Sequence, residues 1–169
     1  WFDGACGEGP NGKKQVYDFD GYIELVRKYQ PNATIFYDKG PDVRWVGNES
    51  GTARPSEWAV VPHELVPYAK KQVSCKAMEG SLDYMYNTDT VIGSMSNIIY
   101  ANGLSFVGSE TDMSIRPGWF YHKNEHPHSL ERLFNTYITS VGANTCFNLN
   151  IPPRPDGLFD DEDVQRLSE

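Results

Sequence analysis

"SLERLFNTYITSVGANTCFNLNIPP", residues 129–153, decides how this chain folds. After Ser129, the residues Leu130, Leu133, Phe134, Tyr137, Ile138 and Val141 recur at steps of three, one, three, one and three. That is the period of an amphipathic helix, with Ser129 as its N-cap and Gly142 at the C′ position. The six side chains are expected to form one face that packs on a sheet. At residue 145 the pattern changes to "TCFNLNIPP", a strand closed by two prolines.

Working outward, the same alternation repeats. Downstream, Asp160 is placed to cap a last helix, "DEDVQRLSE". Upstream, "ATIFYD" (33–38), "VRWVG" (43–47) and "WAVVP" (58–62) read as short buried strands. A helix capped by Asp20, with Tyr22, Ile23, Val26 and Tyr29 on one face, precedes them and ends at Pro31 and Asn32. Trp1 and Phe2 read as the end of a buried strand, followed by the turn-rich loop "GEGPNG" (7–12). Between 63 and 108 the period is lost: "HELVPYAKKQ" reads as a helical turn, and 81–106 as a long loop or a short helix with excursions.

Strands alternating with amphipathic helices predict an α/β fold with parallel strands. Residues 1–3, 34–38, 43–47 and 145–151 are expected to lie side by side in one wall. The whole chain, 1–169, reads as the C-terminal half of a (β/α)8-like, TIM-type barrel whose N-terminal half is absent. The open sheet edge of a half-barrel needs that missing half, or another chain, to cover it.

Composition narrows the function classes. The chain is 39% hydrophobic and 13% aromatic, as a globular domain is. A net charge of −8 argues against nucleic acid or an anionic membrane face as a partner. No apolar run approaches the roughly 20 residues that span a bilayer. Cys6, Cys75 and Cys146 are too widely spaced for a disulfide framework or a zinc site. The histidines of "HKNEHPH" (122–128) read as surface residues, so no metal is expected. There is no G-x-S-x-G, no H-E-x-x-H and no phosphate-binding glycine loop.

In a barrel, catalytic residues sit at the C-terminal ends of strands. Asp3, Asp38, Asp42, Glu49, Glu57 and the "SIRPGW" group (114–119) occupy such ends, flanked by Trp1, Trp45, Trp58 and Trp119. Carboxylate pairs beside aromatic platforms suit sugar chemistry. One carboxylate attacks the anomeric carbon, the other protonates the leaving oxygen, and the rings pack on the sugar's apolar faces. Turn capping, solvated loop charge and core packing are the bland readings of Asp3, Glu49 and the tryptophans respectively.

Four segments, "WFDGACGEGPNG", "GPDVRWVGNESGTARPSEW", "SIRPGWFYH" and "NLNIPPRPDGLFDDEDVQRLSE", together resemble the α-L-fucosidases of glycoside hydrolase family 29. They occur in the family's order and cover nearly the whole chain. Their flavour is that of the branch acting on α-1,3/1,4-linked fucose. The resemblance implies a (β/α)8-like catalytic barrel and hydrolysis with retention through a fucosyl-enzyme intermediate. It implies Asp3 as nucleophile, with Trp1 lining the fucose site. Glu49, in the "GNE" loop, is the implied acid/base, with Glu110 and Glu57 as alternatives. Glu49 is expected to be held protonated by a neighbouring carboxylate and partial burial, about 5–5.5 Å from Asp3 as in a retaining pair. Arg44, Trp45, Arg116 and Trp119 are implied sugar contacts. No metal or organic cofactor is implied. The implied partner is a fucosylated oligosaccharide or glycoconjugate, met in the periplasm or outside the cell. The competing readings are a retaining glycosidase for another sugar and an inactive glycan-binding remnant.

Overall fold

The computed structural model describes residues 1–2, 10–14, 16–37, 40–55, 57–66, 73–74, 76, 78–80 and 92–169. The chain divides into two compact units, one made of 1–45 and 58–108, the other of 46–57 and 109–169. Among the described residues no helix is long and apolar enough to cross a membrane.

In the first unit, α1 runs from Phe19–Tyr29. Its cap is Asp18, not Asp20: the Asp18 carboxylate accepts the backbone N–H of Gly21 at 3.0 Å, and Asp20 sits within the first turn, where the helix dipole favours a negative charge. Of the expected apolar face only Ile23 is buried, while Tyr22 and Tyr29 are exposed. Phe19 stacks on Tyr37 with centroids 4.2 Å apart and meets Phe2 and Tyr22 edge-on or tilted, which ties the helix start to the extended segments beside it. Residues 34–37, the described part of the strand expected over 34–38, are not assigned as a strand. Phe36 makes a single parallel bridge to Val43, at the start of β1 (Val43–Trp45), and accepts the N–H of Phe2. Arg27 closes this corner, donating to Asp42 and to the Ala33 carbonyl at 2.6 Å each.

The same unit departs from the parallel scheme in its second part. β2 (Val60–Pro62) and β3 (Val73–Ser74) both pair antiparallel with β4 (Gly103–Phe106), Val61 opposite Ser105. The stretch 81–106, expected as a long loop or a short helix with excursions, holds α2 (Met95–Ile98) and ends in β4. The helical turn expected in "HELVPYAKKQ" is a 3-10 turn at His63–Leu65, and β3 after it was not expected. Val61, Val66, Ile92 and Val107 form its buried aliphatic cluster.

The second unit is a β–α–β unit. β5 (Gly108–Ser114) and β6 (Cys146–Asn150) pair in parallel, with Glu110 opposite Cys146, Asp112 opposite Asn148 and Ser114 opposite Asn150. Helix α3 (Leu130–Ser140) connects them, capped as expected by Ser129, whose hydroxyl accepts the N–H of Arg132. Its end differs from expectation. Gly142 lies in a 3-10 turn, and Asn144 takes the left-handed conformation (φ 71°), one of the few non-glycine residues to tolerate it.

The expected burial of the α3 apolar face is reversed. Phe134, Tyr137 and Ile138 are 60%, 50% and 50% exposed, and Thr136 and Ser140 are buried instead. The reason is close approach. Thr136 lies against Met113 of β5 and against Gly51, where a Cβ would meet the Thr136 methyl at 2.6 Å. Only small side chains fit there, and Ser140 satisfies its hydroxyl by donating to the Thr136 carbonyl at 2.6 Å. Helix α4 (Asp161–Ser168) is capped by Asp160, as expected, and turns Asp163 inward. A barrel is not seen among the described residues.

Candidate active site

The site is built from a turn, two strands and a loop of the second unit. The turn is "GNESG" (47–51). Asn48 shapes it: its Oδ1 accepts from the N–H of Ser50 at 3.0 Å and from the Ser50 hydroxyl at 2.6 Å, and its Nδ2 donates to the Thr52 carbonyl at 2.7 Å. Gly51 has φ +75°, and its N–H donates to the Asp112 carbonyl at 2.9 Å. Glu49 is thereby held at the tip of a turn fixed on both sides. Its side chain is exposed, so the partial burial expected of it is absent. Its Oε2 accepts the indole N–H of Trp119 at 3.0 Å.

Side chains alternate along a strand, so Glu110, Asp112 and Ser114 line one face of β5. Asn148 and Asn150 line the adjoining face of β6. Asn148 donates from Nδ2 to Asp112 Oδ1 at 3.2 Å and to Glu110 Oε1 at 3.4 Å. Asn150 donates to the Ser114 hydroxyl at 3.0 Å and to the Trp119 carbonyl at 3.1 Å. Asp112 is only 5% exposed. Burial is the main cause that pushes its carboxyl up to about 7, followed by the charge of Glu110, a hydrogen bond with Glu110 and the charge of Glu49. The Asn148 amide opposes the shift. Asp112 therefore holds its proton close to neutral pH, beside two other carboxylates.

Trp119 belongs to the loop after β5, closed at its base where the N–H of His128 donates to the Ile115 carbonyl at 2.7 Å. Arg116 fills that loop. Its Nε contacts both oxygens of the buried Asp163 at 2.9 Å, its Nη2 lies 3.4 Å from Asp160, and Nη1 donates to the Glu125 carbonyl. The Tyr121 ring lies 5.0 Å from the guanidinium. The sugar contact expected of Arg116 is thus not how this 2%-exposed side chain is placed; it joins the loop to α4. Arg44, the other expected cationic contact, is fully buried in the first unit and donates to the Trp58 carbonyl at 3.0 Å.

The remaining expected residues fall as follows. Glu49, Glu110 and Trp119 come together in the second unit. Glu57 is buried and paired with Arg54 at 2.8 Å, and Asp42 is taken by Arg27. In the first unit Trp1 is exposed and stacks on Phe36 at 4.5 Å, and Trp45 is half-buried. Asp3 and Asp38 lie outside the described residues, and with Asp3 the expected carboxylate separation. Reading the sequence missed Asp112, Asn148 and Asn150. Their signal was partial: "NLN" puts an asparagine at every second position of the strand expected over 145–153, but no strand is expected over "ETDMS", so nothing marked the partners.

Comparison with known proteins identifies the family. The sequence profile of the alpha-L-fucosidase family matches residues 11–169. The chain belongs to the alpha-L-fucosidase family. Alpha-L-fucosidase 1 of Arabidopsis thaliana is 36% identical over 169 residues, all of this chain and 29% of that protein. A solved structure from Bacteroides ovatus, of a protein assigned provisionally to the alpha-L-fucosidases, is 39% identical with a TM-score of 0.73, covering 99% of this chain and 28% of that one. A glycoside hydrolase 29 family member from an unknown rumen bacterium is 32% identical with a TM-score of 0.71, covering 98% and 28%. This fucosidase-family chain spans under a third of the length of the curated relatives it matches.

Proposed function

We propose that this chain is the C-terminal half of the (β/α)8-like catalytic domain of a retaining α-L-fucosidase that releases α-L-fucose from fucosylated oligosaccharides or glycoconjugates. The observation that carries the reading is the Glu49–Trp119 contact next to the Glu110–Asp112 pair, on a chain whose family is the alpha-L-fucosidases. A carboxyl at an exposed tip, hydrogen-bonded to an indole, can meet a bulky leaving group and offer it a flat apolar wall. The parallel β5–α3–β6 unit and the short span relative to the relatives support the barrel assignment.

In this mechanism Asp3 attacks the anomeric carbon and forms an ester. The bond to the departing oxygen breaks as Glu49 gives that oxygen its proton. Glu49 then takes a proton from water, whose oxygen attacks the anomeric carbon and frees Asp3. Two inversions give net retention. Trp1, Trp45 and Trp119 are the proposed sugar platforms, whereas the burial of Arg44 and Arg116 does not favour direct contact. The position of Glu49 in the "GNE" turn favours the α-1,3/1,4-fucosidase branch.

The test uses the intact protein and an aryl α-L-fucoside. Proton NMR of the first-formed sugar should show the α anomer, and β-fucose would overturn the retaining reading. Asp3→Gly should abolish turnover, and added azide should yield β-fucosyl azide. Glu49→Ala should slow alkyl fucosides far more than activated aryl ones. If Glu110→Ala shows that dependence instead, the acid/base role moves to Glu110 and the branch assignment falls.

A further inference from the structure

We propose that Asn150 is a positioning residue for the acid/base: it holds the Trp119 backbone so that the indole N–H occupies Oε2 of Glu49, leaving Oε1 to carry the proton that is transferred. This rests on the reading of Glu49 given above. The chain of contacts is short and complete. Asn150 sits at the last paired position of β6, its own carbonyl accepting the N–H of Ile115 at 2.9 Å. Its amide has two hydrogens, and both are used, one on Ser114 and one on the Trp119 carbonyl. Trp119 is then fixed at two ends, through its carbonyl by Asn150 and through Nε1 by Glu49.

The chemistry gives this clamp a purpose. A carboxyl group that must donate a proton has two oxygens, and only one can face the leaving group. An indole nitrogen is a donor only, so the oxygen it meets accepts and does not bear the acidic hydrogen. Trp119 thus selects the proton-bearing oxygen. The selection is as firm as the placement of its ring, and Trp119 stands in a loop beside exposed Pro117 and Phe120. A strand residue that grips the backbone of the ring-bearing residue supplies the rigidity that loops lack.

Four forms of the intact protein test this: wild type, Asn150→Ala, Trp119→Phe and the double variant. Each is assayed on a dinitrophenyl α-L-fucoside, which leaves without a proton, and on methyl α-L-fucoside, which needs one. Asn150→Ala should lower kcat/KM, which reports formation of the fucosyl-enzyme alone, on the methyl glycoside by about tenfold to a hundredfold, the scale of a misplaced catalytic group. On the dinitrophenyl glycoside, whose first step needs no acid, the loss of kcat/KM should stay within about threefold. Trp119→Phe, which keeps a ring as platform but removes the indole N–H, should widen the ratio of methyl to dinitrophenyl losses as Asn150→Ala does, on top of any binding loss common to both substrates, and the double variant should widen that ratio no further than the worse single one. Equal losses on both substrates, or ratios that multiply in the double variant, would overturn the proposal.

A second measurement does not need turnover. The Trp119 indole N–H resonance, identified by its disappearance in Trp119→Phe, should shift on Glu49→Gln in the wild-type background and stay put in the Asn150→Ala background. Equal shifts in both would refute the clamp. A folded wild type that cleaves no fucoside would sink the glycosidase reading, and the resonance would still decide the clamp. If Asn150→Ala does not fold, Asn150→Ser, which keeps one donor, takes its place in both measurements.

Discussion

The two units are held together by different chemistry. The first buries mainly apolar side chains: Val61, Val66, Ile92 and Val107 around the antiparallel β2–β4 pair, and Ile23, Ile35 and Phe36, with Arg44, Asn97 and Ser105 as enclosed polar groups. The second buries Met113 and Ile115, but its interior is largely polar, with Ser109, Thr111, Asp112, Ser114, Arg116, Thr136, Ser140, Thr145 and Asp163 all enclosed. Thr111 and Thr145 share a hydroxyl contact at 2.7 Å across the two strands. Apolar burial is non-directional and tolerant of small shifts, whereas a buried polar network fixes angles and distances. Glu49, Glu110 and Asp112 stand on the unit whose interior specifies geometry.

This contrast is most exposed to failure at Arg116. Arg116→Met leaves Asp163 buried without its partner and should cost about 3–5 kcal/mol, read by urea denaturation. A loss below 1 kcal/mol would mean that the polar interior of the second unit is not what holds it. In the first unit, Val61→Ala removes fully buried aliphatic surface and should cost roughly 1.5–3 kcal/mol. Because the contact is non-directional, Val61→Ile should be better tolerated there than Arg116→Lys in the second unit, where the fork geometry cannot be replaced.

The pH dependence of stability sharpens the comparison further. Asp112 is pushed up to about 7 in the folded protein from an ordinary 3.8. Between those values the folded state retains a proton that the unfolded chain has released. Stability therefore falls as pH rises from about 4 to 7 and levels off above. Asp112→Asn removes that slope and should be more stable than wild type at pH 8 by about 1–3 kcal/mol, with little difference at pH 4. A variant whose stability runs parallel to wild type across this range would show that Asp112 is not the group that titrates. The smallest effects are expected on the outer face of α3: Phe134→Ala and Ile138→Ala should change stability by about 0.5 kcal/mol or less. A cost near 2 kcal/mol would mean that this face is covered in the protein studied.

Helices were legible where local chemistry marks them. Ser129 and Asp160 sit one residue before α3 and α4 and accept the first free N–H groups, as a cap must. At α1 two aspartates compete two residues apart, and the choice between Asp18 and Asp20 rests on a turn geometry that periodicity does not encode. Which helical face is buried was not legible. An apolar stripe marks the side that prefers to leave water, but α3 approaches β5 through Thr136 and Ser140 because the backbone at Gly51 stands too close for larger residues. Of the antiparallel β2–β4–β3 sheet, β2 was legible inside 58–62, but β3, β4 and the antiparallel pairing escaped for a related reason: the strands are two to four residues long, and a period of two needs more than that to declare itself. At the candidate site Glu49, Glu110 and Trp119 were readable by residue type, and Asp112 was not. The asparagines that hold them were not, since an isolated Asn in a strand has the same spelling whether it faces water or a neighbouring carboxylate.

The turn that carries Glu49 has a very short leash. Asn48 is knotted to Ser50 and Thr52, and Gly51 is pinned beneath Thr136 and tied to the Asp112 carbonyl. Only Glu49 and Ser50 lie between those anchors, a tether of about 10 Å at full stretch from one anchoring Cα to the other. Its carboxyl can therefore travel by rotating its own side-chain bonds and hardly at all by moving its backbone. On the proposed assignment the acid waits at a fixed address, and the scissile oxygen has to be delivered to it. Discrimination between glycans then becomes a matter of how each one seats, with a misfit of an ångström enough to leave a bound sugar uncut.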